Sequence, residues 1–550
     1  MKTPGAHYSA NGRRASVSSS TSPDSRIFIP SITSQDILDE DSARKGRQRR
    51  QQRGAGFMTR KAAVVLLLVV VAVAGAIVAF VVTKGDGTST KASNESGTSD
   101  KKASGNGNAG NSGTSKDTST NFNSKDMKGS SGGGNAKVYT DPTSEKFSLT
   151  AFAIGDWGAT TYSKNGSCCA RRKGKFNPYD RHAEVGVSKL MSIQAKETKP
   201  AVVIGHGDNF YWTGINGPKD QAYRFQLTFE ERHGEQNMLD VPFINVMGNH
   251  DYGGGSYICM DSNEELVECK SSTELITALK KKFDLQSTYK SPNNDRWIIK
   301  DHYYKYSVEK DGISMDIFNL EMNDADSHGA DQICCQCYGY SWGNDTICKG
   351  ATRGHKMCCG GDTGMYDACM DQFKQWADDS RTQLIKDVKA SKATWKIVNS
   401  HYNPYGHYGE PGAKKWIDAL KEAEDVHVWI AGHTHGEKHD YGTFNVHFIE
   451  NGAGGGIQSE SASGIPPSMK DSVSNIWTAG GLGDDGGNTY GFFSIQASKS
   501  WLKVQFHTFD SNWVLTKDDD GLKNGKIGGV AAKHCWYIPS DGSKGKACSS

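Results

Sequence analysis

The chain has 550 residues, with 64 Lys and Arg against 62 Asp and Glu, so its formal net charge of +2 gives no whole-protein argument for a nucleic-acid partner. The length admits several domains, but composition withdraws about a quarter of it from any core. Residues 1–61 are polar, basic and rich in Ser, Arg and Gln, and 84–137 are mostly Gly, Ser, Thr, Asn and Lys. Such segments cannot offset their ordering entropy by burial and are expected to be disordered, which leaves one globular unit over 138–550.

Between the two polar segments, residues 62–83 carry an apolar run of roughly 20 residues, long enough to cross a hydrocarbon core of ~30 Å. A lone apolar helix between two disordered tracts has no core to enter. Arg44, Lys45, Arg47, Arg49, Arg50, Arg53, Arg60 and Lys61 precede it, whereas Lys84 and Asp86 cancel after it. The positive-inside rule then predicts an uncleaved signal anchor with a cytoplasmic tail, a stalk over 84–137, and the globular unit outside the cell or in a lumen. The competing reading is a cleaved signal peptide with Ala74-Gly75-Ala76 as its cleavage site; the long basic region upstream weighs against it. Asn94, Asn165 and Asn344 begin sequons that are usable only in that topology.

In the globular unit, apolar runs and a turn alternate. A strand over 147–154 ends at Gly155-Asp156-Trp157-Gly158, and 182–197 has helical spacing. A strand over 201–204 leads into Gly207-Asp208-Asn209-Phe210-Tyr211, and one over 241–246 into Gly248-Asn249-His250-Asp251. A strand over 315–320 precedes a Cys-rich interval, 324–370. An amphipathic helix follows over 372–390, with Phe373, Trp376, Leu384 and Val388 expected inside. A strand over 395–398 runs to Ser400-His401-Tyr402, and one over 426–430 to Gly432-His433-Thr434-His435. Residues 492–495 and 502–509 alternate as a closing antiparallel pair.

Taken singly, the five strings admit plain readings. Asp156, Asp208 and Asn249-His250-Asp251 suit turns, and Tyr211, inside Phe210-Tyr211-Trp212, suits a core. His433 and His435 lie two apart and are expected on one side of a strand, which favours metal binding. Together the strings supply Asp156, Asp208, Tyr211, Asn249, His401, His433 and His435, enough to hold two metal ions with one carboxylate shared. Ligands at the ends of neighbouring strands let a rigid sheet aim several side chains at one point.

The five strings, collinear over roughly residues 145–515, resemble the five blocks of the purple acid phosphatases, most closely the small tartrate-resistant type, within the calcineurin-like metallophosphoesterase superfamily. The resemblance implies an α/β fold, an αββα sandwich of two mixed sheets flanked by helices. It implies Asp156, Asp208, Tyr211 and His435 as ligands of a first metal and Asn249, His401 and His433 as ligands of a second, with Asp208 bridging. Donor chemistry agrees with that division. A phenolate, two carboxylates and one imidazole favour Fe(III), and two imidazoles with an amide oxygen suit a divalent Fe, Zn or Mn. His250 is implied to contact the substrate phosphate, with Asp251 beside it to orient the ring and raise its basicity. The small enzymes place a further histidine at the mouth of the site, several residues after the fourth block. His407 fills that place here at a shorter gap.

The implied function is a membrane-anchored acid phosphatase that hydrolyses phosphate monoesters with metal-activated water. The alternatives are a phosphodiesterase on the same fold and a surface binding protein with a retired site. All 13 Cys lie in the globular unit, seven of them within the interval 324–370. They lack the regular CxxC…CxxC spacing of a zinc ribbon, so a disulfide-stapled insertion in an oxidising compartment is expected, with one thiol left over. Such an insertion is expected to form a rigid rim that selects substrates by size.

Overall fold

The computed structural model describes residues 139–158, 171–172, 175–254, 256–337, 348, 350–479, 489–518 and 521–549. All belong to the second of two units of the chain, Ser130–Ser550. The expected tail, the anchor over 62–83, the stalk and the sequons at Asn94, Asn165 and Asn344 lie outside the described residues. Among the described residues no helix is long and apolar enough to cross a membrane.

Two mixed sheets form the body. One has eight strands in the order Lys546–Ala547, Val530–Pro539, Trp501–Phe509, Gly491–Ala497, Leu149–Ile154, Val202–Gly205, Phe243–Asn245, Trp297–Ile298. From Leu149–Ile154 to Trp297–Ile298 the strands are parallel, and towards Lys546–Ala547 they are antiparallel. The second has seven strands in the order Val473–Thr478, Glu437–Gly442, Val446–Asn451, Val428–Ala431, Trp395–Asn399, Ile313–Asn319, Tyr304–Lys310. Its four middle strands, from Val446–Asn451 to Ile313–Asn319, are parallel.

Side-chain alternation along the strands sorts the core into layers. Ala151, Ala153, Ile204, Ile244, Met315, Ile317, Ile397, Ile430, Ile449 and Ile495 fill one cluster between the sheets. Phe152, Ile154 and Val203 point the other way, into a cluster with Val187, Leu190 and Met191 of helix Pro178–Thr198. Phe318, Val398 and Trp429 face Leu384 and Val388 of helix Thr363–Ala390, and Trp416 and Leu420 of helix Glu410–Ala423. The result is the αββα sandwich.

Several element starts depart from the sequence-based bounds because side-chain caps set them. Pro178–Thr198 begins earlier than the apolar spacing suggests. The Asn177 side chain accepts hydrogen bonds from the N–H groups of Tyr179 (2.8 Å) and Asp180 (3.1 Å), with Pro in the first turn. Thr363–Ala390 starts inside the interval assigned to the insertion, where Asp362 accepts from Met365 N at 3.0 Å. Its buried face runs from Met365 and Cys369 through Phe373, Ala377, Leu384 and Val388. Trp376 is only half-buried and stacks on His302.

The Cys-rich interval is stapled as expected. Cys334–Cys369, Cys335–Cys358 and Cys337–Cys348 pair within it, and Cys359 is buried and unpaired. Cys334–Cys369 ties the short helix Ala330–Cys335 to Thr363–Ala390. Cys259–Cys269 and Cys535–Cys548 close two further loops.

His439 and His447, unassigned by any motif, are core residues. His534 Nε2 meets His439 Nδ1 at 2.9 Å, His439 Nε2 meets His447 Nδ1 at 2.8 Å, and His447 Nε2 donates to the Ser543 carbonyl at 3.1 Å. One neutral tautomer at each ring satisfies the whole chain, which crosses from one sheet to the other. Burial pushes His447 from the usual 6.5 down to about 3 and His534 to about 4. A histidine whose folded pKa is depressed binds more protons unfolded, so its contribution is intact above about 6.5 and is lost as pH falls towards the folded value. Stability of the unit is therefore expected to decline from about pH 6.5 downward. His447→Gln, which keeps a donor and an acceptor but does not titrate, should flatten that slope in thermal melts taken between pH 3.5 and 7.

Candidate metal centre

Parallel strands from both sheets end at one place. Asp156 follows Leu149–Ile154, Asp208 and Tyr211 follow Val202–Gly205, and Asn249 follows Phe243–Asn245. His401 follows Trp395–Asn399 on the other sheet, and His433 and His435 follow Val428–Ala431. The turns that deliver them are tight. Asp156, Asp208 and His433 have φ of 53°, 51° and 69°, in the left-handed region that non-glycine residues seldom enter. Gly207, at φ 87°, makes the turn into Asp208. At Gly248 a Cβ would lie 2.2 Å from Asp208 Oδ1 and 2.8 Å from His401 Cε1, so only glycine lets the two loops approach.

The donors form two groups. In the first, Tyr211 Oη lies 3.0 Å from Asp156 Oδ1 and 3.3 Å from His435 Nε2. Ligand atoms of Asp156, Asp208 and His435 all fall within 4.8 Å of one another. In the second, Asn249 Oδ1 is 3.0 Å from His401 Nε2 and 3.1 Å from His433 Nδ1, and those ring nitrogens are 3.2 Å apart. Asp208 Oδ1 stands 3.5 Å from His401 Nε2, between the groups.

His433 and His435 do not share a side of a strand. They lie in the turn past Val428–Ala431, and the left-handed φ of His433 sends the two rings to different groups.

The spare atoms of these ligands bond to neighbouring loops. Asp156 Oδ2 accepts from His433 N at 2.7 Å, and Asp208 Oδ1 accepts from His250 N at 2.9 Å. His401 Nδ1 donates to the His206 carbonyl at 2.7 Å, which fixes its tautomer and leaves the Nε2 lone pair for a ligand. His206, without a motif, is thus a support; it is buried and held by Asn399 at 2.6 Å and Asn451 at 3.3 Å. Glu460, which no pattern in the sequence marks, puts Oε2 3.3 Å from His435 Nδ1.

The donor set suits cations. Burial and the charge of Asp208 hold the Asp156 carboxyl well above its usual range, and burial with both carboxylates does the same to the Tyr211 phenol. Burial keeps His401 and His433 neutral by pushing them down. Asp208 Oδ2 is buried with no hydrogen-bond partner among the described residues, and two ring nitrogens face one amide oxygen. A metal ion in each group would reverse the anion repulsion and occupy these lone pairs. The residues fit a binuclear centre.

Two expected roles change. Asp251 does not touch His250. Its carboxylate accepts from the N–H groups of Gly248 (2.8 Å), Asn209 (3.1 Å) and Phe210 (3.1 Å), and from Gln286 Nε2 (2.9 Å). His250 Nδ1 instead donates to the Trp212 carbonyl at 2.9 Å. His407 does not open to the mouth. It is 6% exposed, its Nδ1 accepts from Asn403 N at 3.2 Å, and its Nε2 lies 3.2 Å from Thr434 Oγ1. The short gap after His401 folds the segment back on itself, so His407 packs edge-on against His433 at 4.7 Å. Burial and His401 push it down to about 3.

A family model described as calcineurin-like phosphoesterase matches residues 150–437, which span every ligand loop. The chain belongs to the calcineurin-like phosphoesterase family. Tartrate-resistant acid phosphatase type 5 of Sus scrofa is 22% identical over 315 residues, covering 56% of this chain and 69% of that protein. Purple acid phosphatase 7 of Arabidopsis thaliana is 31% identical over 107 residues, 20% of this chain and 26% of that protein. Among solved structures, GAP50, the anchor in the inner membrane complex of Plasmodium, has a TM-score of 0.37 at 16% identity, covering 70% of this chain and 90% of that one.

Among the described residues, Asp208 is the side chain placed between the two groups. Asp208→Ala should therefore lose both metals, whereas His401→Ala or His433→Ala should mainly empty the second position. Metal content per chain by plasma emission spectrometry checks this; two metals retained in Asp208→Ala would remove the bridge.

Proposed function

We propose that this phosphoesterase is an acid phosphatase that hydrolyses phosphate monoesters at an Fe(III)–M(II) centre, with M being Fe, Zn or Mn. The observation that carries this reading is the Tyr211 hydroxyl, 3.0 Å from Asp156 and 3.3 Å from His435. A phenol placed among two carboxylates and an imidazole is a hard, anionic donor set suited to a trivalent ion.

Two bound metal ions supply Lewis-acid polarisation of the phosphate and acidify water. The chain's own residues set the geometry. Asp208 holds the two positions at one spacing. His250 has its Nδ1 proton committed to the Trp212 carbonyl, so its Nε2 bears a proton only in the imidazolium form. Burial lowers the pKa of His250, partly offset by the charge of Asp208, so that form is populated only in acid. Protonated His250 would donate from Nε2 to a phosphate oxygen, and its lowered pKa sets that form on the acid side of the usual imidazole range. This supports an acidic working range.

If Tyr211 binds Fe(III), phenolate-to-iron charge transfer should colour the oxidised protein purple or pink. Tyr211→Phe should bleach the band and leave the melting profile close to that of the parent. An iron-loaded, active and colourless parent protein would defeat the assignment. Turnover of p-nitrophenyl phosphate should exceed that of its bis ester; the reverse preference would mark a phosphodiesterase.

The same reading takes 62–83 as a signal anchor and sets the catalytic unit outside the cell or in a lumen. The apolar run, the basic residues before it and the disulfides support this. Glycans should be found at one or more of Asn94, Asn165 and Asn344, and the unit should resist protease in intact microsomes. Digestion from the cytosolic side would overturn the orientation.

A further inference from the structure

The mouth of the centre has an imidazole that the sequence pattern did not single out. His328 is exposed, as are Asp326 and Ser327 before it, and buried Gly329 and Ala330 follow directly. Its ring lies 5.8 Å from that of His433, edge to face.

The loop that presents it is anchored on two sides. Asn323 Nδ2 donates to the Met247 carbonyl at 3.1 Å, next to the Asn249 turn. Ser327 N donates to the His407 carbonyl at 3.1 Å, and Tyr408 Oη donates to Asp324 Oδ1 at 2.6 Å, so the segment past His401 grips it as well. Gly329 sits so close to this loop that a Cβ there would lie 2.2 Å from the Ala325 carbonyl oxygen. Helix Ala330–Cys335 begins immediately after it and is fixed to Thr363–Ala390 by Cys334–Cys369. His328 itself has φ of 57°, a left-handed conformation that only a well-determined surrounding maintains in a non-glycine residue. An exposed imidazole on a rigid, conformationally costly mount beside a ligand histidine is placed for contact with a bound molecule.

The two donor groups then each have one open histidine. His250 stands against Tyr211, with ring centroids 4.9 Å apart, and His328 stands against His433. His407, the sequence-expected candidate for this second place, is closed off by Asn403 and Thr434.

We infer that His328 is a substrate-contacting residue, donating a ring N–H hydrogen bond to an oxygen of the bound phosphomonoester from the side of the Asn249–His401–His433 group. The inference rests on the phosphatase reading above. His328 acts as a hydrogen-bond donor, so what it adds is affinity for the phosphate.

The test uses the full-length, metal-loaded chain with His328→Ala and His328→Gln. Inorganic phosphate binding is measured by calorimetry, KM and kcat with p-nitrophenyl phosphate, and metal content by emission spectrometry. His328→Ala should weaken phosphate binding and raise KM by about tenfold, as loss of one hydrogen bond to a charged group does. Metal content should stay at the parent value, kcat should change less than KM, and His328→Gln, which keeps an N–H donor, should recover most of the affinity. Unchanged phosphate affinity in His328→Ala at full metal content overturns the inference. So does loss of the second metal in that variant, because His328 would then merely prop His433. A parent chain that binds phosphate but turns over no monoester would fail the proposed function alone; the calorimetric comparison would still decide the role of His328.

Discussion

The buried carboxylate of Asp251 is the contact on which the centre depends. Its acceptors take the backbone N–H groups of Gly248, Asn209 and Phe210 and the Gln286 amide, so one side chain locks the turn bearing Asp208 and Tyr211 to the turn bearing Asn249 and His250. The ligands extend the same device. Asp156 reaches the backbone of His433, Asp208 that of His250, and His401 that of His206. Each loop is held by a neighbour's side chain as well as by its own strand. Left-handed turns at three ligand positions, which a free loop would relax, persist because these bonds over-determine them.

Burial gives the same residues their electrostatic character. A pocket that holds Asp156 and Tyr211 beside Asp208 raises the cost of charging those two, and it keeps the histidines around them neutral. Neutral imidazoles and crowded anions are the protonation states a cation needs in its ligands. Low dielectric therefore penalises the pocket by itself and favours metal in it.

Beyond the ligands, the Cys-rich interval is held by its own disulfides. Its disulfides cut the entropy of open conformations, and the helix they fix begins one residue after Gly329. The disulfide-linked helix is thereby continuous in sequence with the loop that carries His328.

The strand-turn-ligand units were legible in the sequence because a local pattern encodes each one. An apolar run predicts a strand, and a glycine beside an oxygen or imidazole donor marks its end. Asp156, Asp208, Tyr211, Asn249, His433 and His435 lie in such strings and His401 in one without a glycine, and the fold brings them into two groups. What the sequence could not determine is whatever depends on the path of the chain between these units. Asp251 sits beside His250 in sequence but spends its acceptors on backbone across the loop. His407 stands at a shorter gap than the resemblance calls for and is turned inward by the fold of its own segment. His328, Glu460 and His206 have no local signature; they reach the centre because two sheets, packed face to face, bring distant turns together. Only tertiary structure decides which of several histidines a buried, hydrogen-bonded site will close off and which it will leave open, because that choice is made by neighbours far away in the chain.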